Sequence, residues 1–237
     1  ALKLLGFKYV FDTNFAADIT ILEEASEFIN RLKENKNLPI LTSCCPAWIN
    51  YLEHHYPECL NLASSCKSPQ NMFGAIAKNY FTSKINISPK DITVVSVMPC
   101  IAKKYEVSRT ELGNDGILDV DVSITTRELA KMIKESGIDF LNLDDENFDN
   151  PMGESTGAAD IFGTTGGVLE AALRTSYEWV TGQELESLDF KSVRGLDGIK
   201  EASITIGDSI INVCAASSLG NAKKIMDDVK AGNSKYH

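Results

Sequence analysis

Nowhere in the 237 residues does an apolar run approach the ~20 residues that cross a bilayer, so no membrane span is expected. The first residues also lack the charged-then-apolar pattern of an export signal, and a cytoplasmic chain is the expectation. Positive charge is in short supply, with 23 Lys and Arg against 33 Asp and Glu and a net charge of −10. That balance excludes nucleic acid as a partner, because phosphate binding needs concentrated Lys and Arg. The acidity itself reads equally well as solubility or as electrostatic steering. Histidine is scarce, at three residues, and the His54-His55 pair has no companion ligand pattern nearby. Those two read as polar residues closing a helix ahead of Pro57. The remainder is ordinary for a soluble globular protein, at 43% hydrophobic and 24% charged residues. The length suffices for one large domain or two small lobes with a core.

Six cysteines stand against that background: Cys44, Cys45, Cys59, Cys66, Cys100 and Cys214. Without a secretory signal they favour metal or redox chemistry over disulfides. Thr42-Ser43-Cys44-Cys45-Pro46-Ala47-Trp48 sets two adjacent cysteines between a predicted strand, Leu38 to Leu41, and a predicted helix. Vicinal cysteines do not readily bridge each other and point in different directions. One thiol can therefore bind a metal while the other faces a different space. Cys100 ends a second apolar run, Thr93 to Pro99, and opens a polar segment. Two strand-end cysteines, each beside a proline, point to one shared site, and spacing alone leaves iron–sulfur and zinc open.

Gly6 to Phe11 is predicted as a short strand, with Asp12-Thr13-Asn14 as a helix start. From Phe15 to Lys36, Ile19, Leu22, Phe28, Ile29 and Leu32 recur at helical spacing. Glu24 and Glu27 then share one face of that helix, which on position alone is a solvated acidic face. Pro46 suits the first turn of the next helix, whose apolar side is Trp48, Ile49 and Leu52. Ser68 and Pro69 read as the N-cap and first residue of a helix to about Phe81. Asp91 to Met98 is nearly all apolar, like a strand buried on both faces of a parallel sheet. Asp119 to Thr125 is another strand, Thr126 to Ser136 another helix, and Phe140 to Ala159 an ordered loop or inter-lobe connection. The glycines of Phe162-Gly163-Thr164-Thr165-Gly166-Gly167 open a helix and permit close approach by an anion. Val193 to Ala215 is predicted as two strands joined near Gly207-Asp208, and Leu219 to Val229 as a closing amphipathic helix. The alternation is that of an α/β protein. The expectation is two lobes of mainly parallel sheet flanked by helices, approximately residues 1–118 and 119–237. The active site is expected in the cleft between the lobes, beyond the strand ends.

At the Thr42 to Trp48 motif, and at Met98-Pro99-Cys100-Ile101-Ala102-Lys103-Lys104-Tyr105-Glu106, the sequence resembles iron-only ([FeFe]) hydrogenases. These match the first two signatures of that family's catalytic domain. The likeness continues through Phe11 to Phe15, Glu23-Glu24-Ala25, Lys67-Ser68-Pro69-Gln70 and Ile161 to Gly167, in the family's order over nearly the whole chain. The resemblance implies reversible oxidation of H2 at an H-cluster, in an anaerobic setting. That cofactor is a [4Fe–4S] cluster linked through a cysteine sulfur to a diiron unit with CO, cyanide and bridging dithiolate ligands. The resemblance makes Cys45 and Cys100 two of the four thiolates that hold the iron–sulfur cluster. Cys44 becomes a proton-relay thiol facing the bridging amine of the diiron unit, a role suited to sulfur's proton affinity. The relay then runs to bulk water in the order Cys44, Glu24, Ser64, Glu27, with the hydroxyl able to donate and accept at once. Lys103 is implied to bind a cyanide ligand. Ser68, Pro69, Gln70, Met98, Phe162 and Gly163 are implied to line the same pocket, although Met98 and Phe162 also read as plain core. Glu106 resembles an acidic residue of a second route. Cys59 and Cys214 match no ligand and read as buried small hydrophobes, and Cys66 has no assigned chemistry.

The family's third signature, which carries the other two cysteines, is absent from the 237 residues, as are ferredoxin-like clusters. A C-terminal remainder of the same polypeptide, or a separate chain, is therefore expected to supply two more ligands. A ferredoxin-like electron carrier or partner subunits, and maturation proteins, complete the expected partners. Ile101 stands where many relatives carry a small polar residue. Two other functions fit the motifs: a hydrogenase-like iron–sulfur assembly or scaffold protein, and an H2 sensor without turnover. Relatives of both kinds tend to lack the relay cysteine, so Cys44 with Glu24, Ser64 and Glu27 favours the enzyme.

Overall fold

The computed structural model describes residues 1–150, 152–185, 191–192, 198–207 and 209–237. Its α-helices are α1 (Thr13–Glu34), α2 (Pro46–His55), α3 (Pro69–Ile76), α4 (Thr82–Lys84), α5 (Ala102–Val107), α6 (Thr126–Glu135), α7 (Gly167–Thr181) and α8 (Leu219–Lys230). The strands are β1 (Val95–Met98), β2 (Gly113–Asn114), β3 (Ile117–Leu118), β4 (Val122–Thr125), β5 (Lys191–Ser192), β6 (Ile199–Ile206) and β7 (Ser209–Ala216). The chain forms two compact units, each discontinuous in sequence: Ala1–Ala17 with Lys67–Thr156, and Asp18–Cys66 with Gly157–His237. The expected division at residues 118 and 119 is thereby corrected. Strand β1 pairs in parallel with β4, from Val95↔Val122 to Met98↔Thr125, and a boundary at 118 would separate those partners.

In the unit containing residues 67–156, α3 lies so close to the chain after β3 that a Cβ on Gly74 would collide with the Asp119 carbonyl. The helix continues through a π-helical turn, Ala77–Phe81, and on into α4, so helical winding passes the predicted end at Phe81 and stops at Lys84. Gly6 to Phe11 is turn and coil, not the expected strand. Its aromatic residues serve packing: the Phe11 ring sits 5.2 Å from Phe73 and 5.3 Å from Phe81. Strand β1 is shorter than the expected Asp91 to Met98, because Pro89–Asp91 forms a 3-10 turn and the ladder begins at Val95. Helix α6 starts at a capping box, with the Thr125 hydroxyl accepting from the Glu128 N–H and the Glu128 carboxylate accepting from the Thr125 N–H.

In the unit containing residues 157–237, Phe28 of α1 and Leu173 of α7 pack on one face of an antiparallel sheet, against Ala202, Ile204, Ile211 and Val213. From Ala202 onward β6 alternates buried and exposed residues, the period-2 pattern of a sheet with one face covered. A second cluster joins Leu52 of α2 to Tyr56, Cys59 and Met226 of α8. The predicted hairpin is present as β6 and β7, while Val193–Asp197 and Asp208 lie outside the described residues. The α/β class is as expected. Among the described residues, parallel pairing is confined to β1 with β4 and to a single bridge, Leu41↔Ala63; the three-stranded sheet is antiparallel. A short hairpin connection permits only antiparallel neighbours. The predicted strand Leu38 to Leu41 reduces to that one bridge, since Pro39 has no N–H to donate to a ladder.

Candidate functional site

The Thr42 to Trp48 corner is built by its proline. Cys45 keeps extended geometry at the N-cap of α2, with φ −100° and ψ 108°, and Pro46 opens the helix. The Trp48 indole N–H donates to the Thr42 carbonyl at 3.1 Å and closes the corner. Cys44 is half-buried and Cys45 exposed, both free of disulfides. Both residues border one cavity of about 510 Å³, together with Glu24, Trp48, Leu173 and Met226. Cys214 also borders it, half-buried, and burial pushes its thiol pKa up to about 12. Cys59 is buried as expected.

Glu24 is only 4% exposed, and neither carboxylate oxygen has a hydrogen-bond partner. Burial, with the neighbouring Glu27 charge, raises its pKa to about 7. The Ser43 backbone and the Ser64 hydroxyl lie near enough to lower it slightly without completing a hydrogen bond. Position alone gave a solvated face; the signal against that lies in Ile21, Ala25 and Phe28, all buried at helical spacing around Glu24. Glu27 is held very differently. Ser64 Oγ donates to its Oε2 at 2.7 Å, Arg31 Nη2 to its Oε1 at 2.6 Å, and the Ser65 N–H to both oxygens at 3.0 and 3.2 Å. Burial works to raise the Glu27 pKa, but the Ser64 and Arg31 hydrogen bonds outweigh it and hold the carboxyl below its ordinary range. Arg31, absent from the expected site, was visible as a cation four residues after Glu27 on the same helix.

The glycine-rich start of α7 has an internal explanation. Gly166 sits at φ 91°, and a Cβ on Gly167 would collide with the Ile161 carbonyl. The tight contact that demands glycine is therefore with the chain's own backbone. Phe162 and Gly163 belong to the preceding 3-10 turn, Ala158–Gly163. His54 and His55 close α2 as expected, His54 Nδ1 lying 2.7 Å from the Asn50 carbonyl and His55 packing on Tyr51.

In the other unit, Cys100 is an exposed free thiol two residues beyond Met98, the last residue of β1. Lys103 of α5 pairs with Glu106 at 2.9 Å. Gln70 donates to the Lys103 carbonyl at 3.2 Å and to the Glu106 carboxylate, and accepts from the Ser96 hydroxyl at 2.8 Å. Ser68 does occupy the N-cap of α3 ahead of Pro69, but its hydroxyl makes no capping bond. It is 2% exposed with no partner. Ser96 carried no signal in the sequence. These groups fit the donor set that an H-cluster requires: two free thiols for iron, an ammonium for an anionic nitrogen, and a buried hydroxyl with unused hydrogen-bonding capacity.

The family model for the iron only hydrogenase large subunit, C-terminal domain, matches residues 1–237. The NADP-reducing hydrogenase subunit HndD of Solidesulfovibrio fructosivorans is 54% identical over 98% of this chain and 41% of its own length. The periplasmic [Fe] hydrogenase large subunit of Nitratidesulfovibrio vulgaris is 54% identical over 100% of this chain and 57% of its own length. The chain thus spans about half the length of the curated relatives it matches. The apo [FeFe]-hydrogenase HydA1 structure of Chlamydomonas reinhardtii aligns with a TM-score of 0.87 at 44% identity, covering 99% of this chain and 67% of that one. A cytosolic Fe-S cluster assembly factor of Xenopus tropicalis is 32% identical over 99% of this chain and 52% of its own length. The matched model and these identities, over the motifs whose geometry is described above, place the chain in the iron-only hydrogenase large-subunit family.

Proposed function

We propose that this chain forms most of the catalytic domain of an [FeFe]-hydrogenase, catalysing reversible oxidation of H2. The observation that carries this reading is Glu24, a buried carboxyl with a pKa near 7 in the same cavity lining as Cys44. A group that loses and regains its proton near neutral pH is what a relay needs. Cys45 and Cys100 would supply two thiolates to the iron–sulfur cluster, and Lys103 and the unpartnered Ser68 hydroxyl would hold the ligands of the diiron unit, with Pro69, Gln70, Met98, Phe162 and Gly163 shaping their surroundings. When bound, the H-cluster would supply the metal site at which protons, and electrons exchanged with an external carrier, interconvert with H2. The chain's own residues move the proton. Cys44 exchanges it at sulfur with the Glu24 carboxylate. Ser64 already donates to Glu27, so a proton arriving at Ser64 Oγ from Glu24 releases the hydroxyl proton to Glu27 Oε2. Glu27, kept anionic by Arg31 and Ser64, delivers it to water. Inward transfer reverses these steps and requires the Ser64 hydroxyl to rotate.

A second reading has its own support: relatives such as the assembly factor of Xenopus tropicalis share the same length of chain. An iron–sulfur scaffold, or an H2 sensor, would need no relay. The deciding experiment uses the complete polypeptide, purified without oxygen. Infrared bands of terminal CO and cyanide are expected, with dye-driven H2 evolution that falls at least ~100-fold in Cys44→Ala at unchanged band intensity. Absent bands after supply of the maturation machinery would favour the scaffold; unchanged turnover in the variant would remove the relay.

A further inference from the structure

Cys66 touches three separate parts of the site and belongs to none of its assigned roles. Its backbone N–H donates to Ser64 Oγ at 3.1 Å. Its carbonyl accepts from the Ser43 hydroxyl at 2.6 Å, tying the segment to the Thr42 to Trp48 corner. Its thiol donates to Glu27 Oε2 at 3.7 Å. We infer that Cys66 is a positioning residue whose thiol is the fourth donor to Glu27, fixing that carboxylate as the anionic acceptor of the Ser64 proton. The inference deepens the relay reading and rests on it.

Hydrogen-bond accounting supports the assignment. Ser64 has one hydroxyl proton and two lone pairs. The proton goes to Glu27 and one lone pair takes the Cys66 N–H, so a single acceptor site stays open toward Glu24. The Cys66 contacts therefore give Ser64 a direction. The thiol is a constant donor, because burial pushes its pKa to about 12 and it keeps its proton throughout the working range. From its own helix Glu27 faces the charges of Arg31 and Glu24, with Glu23 also felt at the thiol; from the 64–66 segment it receives only neutral donors. Sulfur is a weaker donor than oxygen, so removing it tunes Glu27 without abolishing its ionisation.

The test compares Cys66→Ala and Cys66→Val with Cys66→Ser in the complete holoenzyme. Alanine and valine remove the donor, valine keeping the side-chain volume, and serine restores a donor. Infrared difference spectra follow the Glu27 carboxyl stretch against pH, the band being identified by its loss in Glu27→Gln. The carboxyl midpoint is expected to rise by about half to one pH unit in the alanine and valine variants and to stay near the parent in serine. The low-pH limb of H2 turnover, normalised to the CO bands, should move with it. An unmoved carboxyl midpoint in both donor-free variants, or the same rise in serine, would overturn the inference. Failure of the relay reading looks different: Glu27→Gln would then leave turnover intact, while the Glu27 carboxyl titration stayed readable in the parent and in the Cys66 variants.

Discussion

Glu24 and Glu27 sit three residues apart on α1, and their environments push their acidities in opposite directions. For Glu24 the folded pKa of about 7 exceeds the ordinary 4.5, so between those values the native state keeps a proton that the unfolded chain has released. The stability linked to this group is complete below about pH 4.5 and is lost as pH rises through about 7, amounting to roughly 3 kcal/mol. Glu27 has the reverse sign: its contribution is present above its ordinary pKa and is lost in acid. Glu24→Gln replaces the titrating group with a neutral amide of similar shape. Urea unfolding of the complete protein at pH 5 and pH 8 should show the variant losing less stability with rising pH than the parent. Equal pH dependence in the two proteins would mean that Glu24 does not titrate from a buried state. The pairing of these two residues was legible in their spacing. Their opposite roles were not, because a helical period places side chains on a face without stating what covers it. Ser64 and Arg31 reach Glu27 from 37 and 4 residues away, and only the nearer partner left a local trace.

Among the elements, the helices were read more reliably than the strands. Helices α1, α2, α6 and α8 begin and end within two residues of expectation, each marked by local chemistry such as Pro46 or the Thr125 and Glu128 capping box. Strands depend on partners elsewhere in the chain. Leu38 to Leu41 had the composition of a strand and found one bridge, whereas Val95–Met98 found a parallel neighbour beyond Leu118. Glycine likewise answers to other parts of the chain. Gly167 is held to glycine by the Ile161 carbonyl, and Gly74 meets an equivalent constraint from Asp119 in the middle of a helix. Since helical propensity alone favours alanine, Gly74→Ala isolates the packing effect. The collision with a backbone carbonyl should win, at about 2 kcal/mol of destabilisation and a melting temperature lower by roughly 5 °C. A variant as stable as the parent would mean that α3 does not pack against residue 119 this closely.

At the scale of the whole chain, the two discontinuous units were beyond sequence reading, since they are defined by pairings such as β1 with β4 that span the expected boundary. The cysteines, by contrast, separate cleanly once burial is known. Cys45 and Cys100 are exposed, whereas burial raises the thiol pKa of Cys59, and takes those of Cys66 and Cys214 to about 12. Iron binds thiolate, so each of these three would have to give up its proton against the cost of burial. Among the described residues no three His, Cys, Asp or Glu side chains gather as a metal site. On the proposed reading Cys45 and Cys100 supply two of the cluster's four thiolates, and two more are required. Residues 1–237 expressed alone and reconstituted with iron and sulfide should give a cluster that a chelator such as EDTA strips within minutes. The complete polypeptide should hold four irons per cluster under the same treatment. In the short chain, Cys45→Ala or Cys100→Ala should remove what iron it retains, while Cys59→Ala and Cys214→Ala should change little. Chelator-resistant iron in residues 1–237, lost on replacing Cys66 or Cys214, would show that a half-buried thiol serves as a ligand after all.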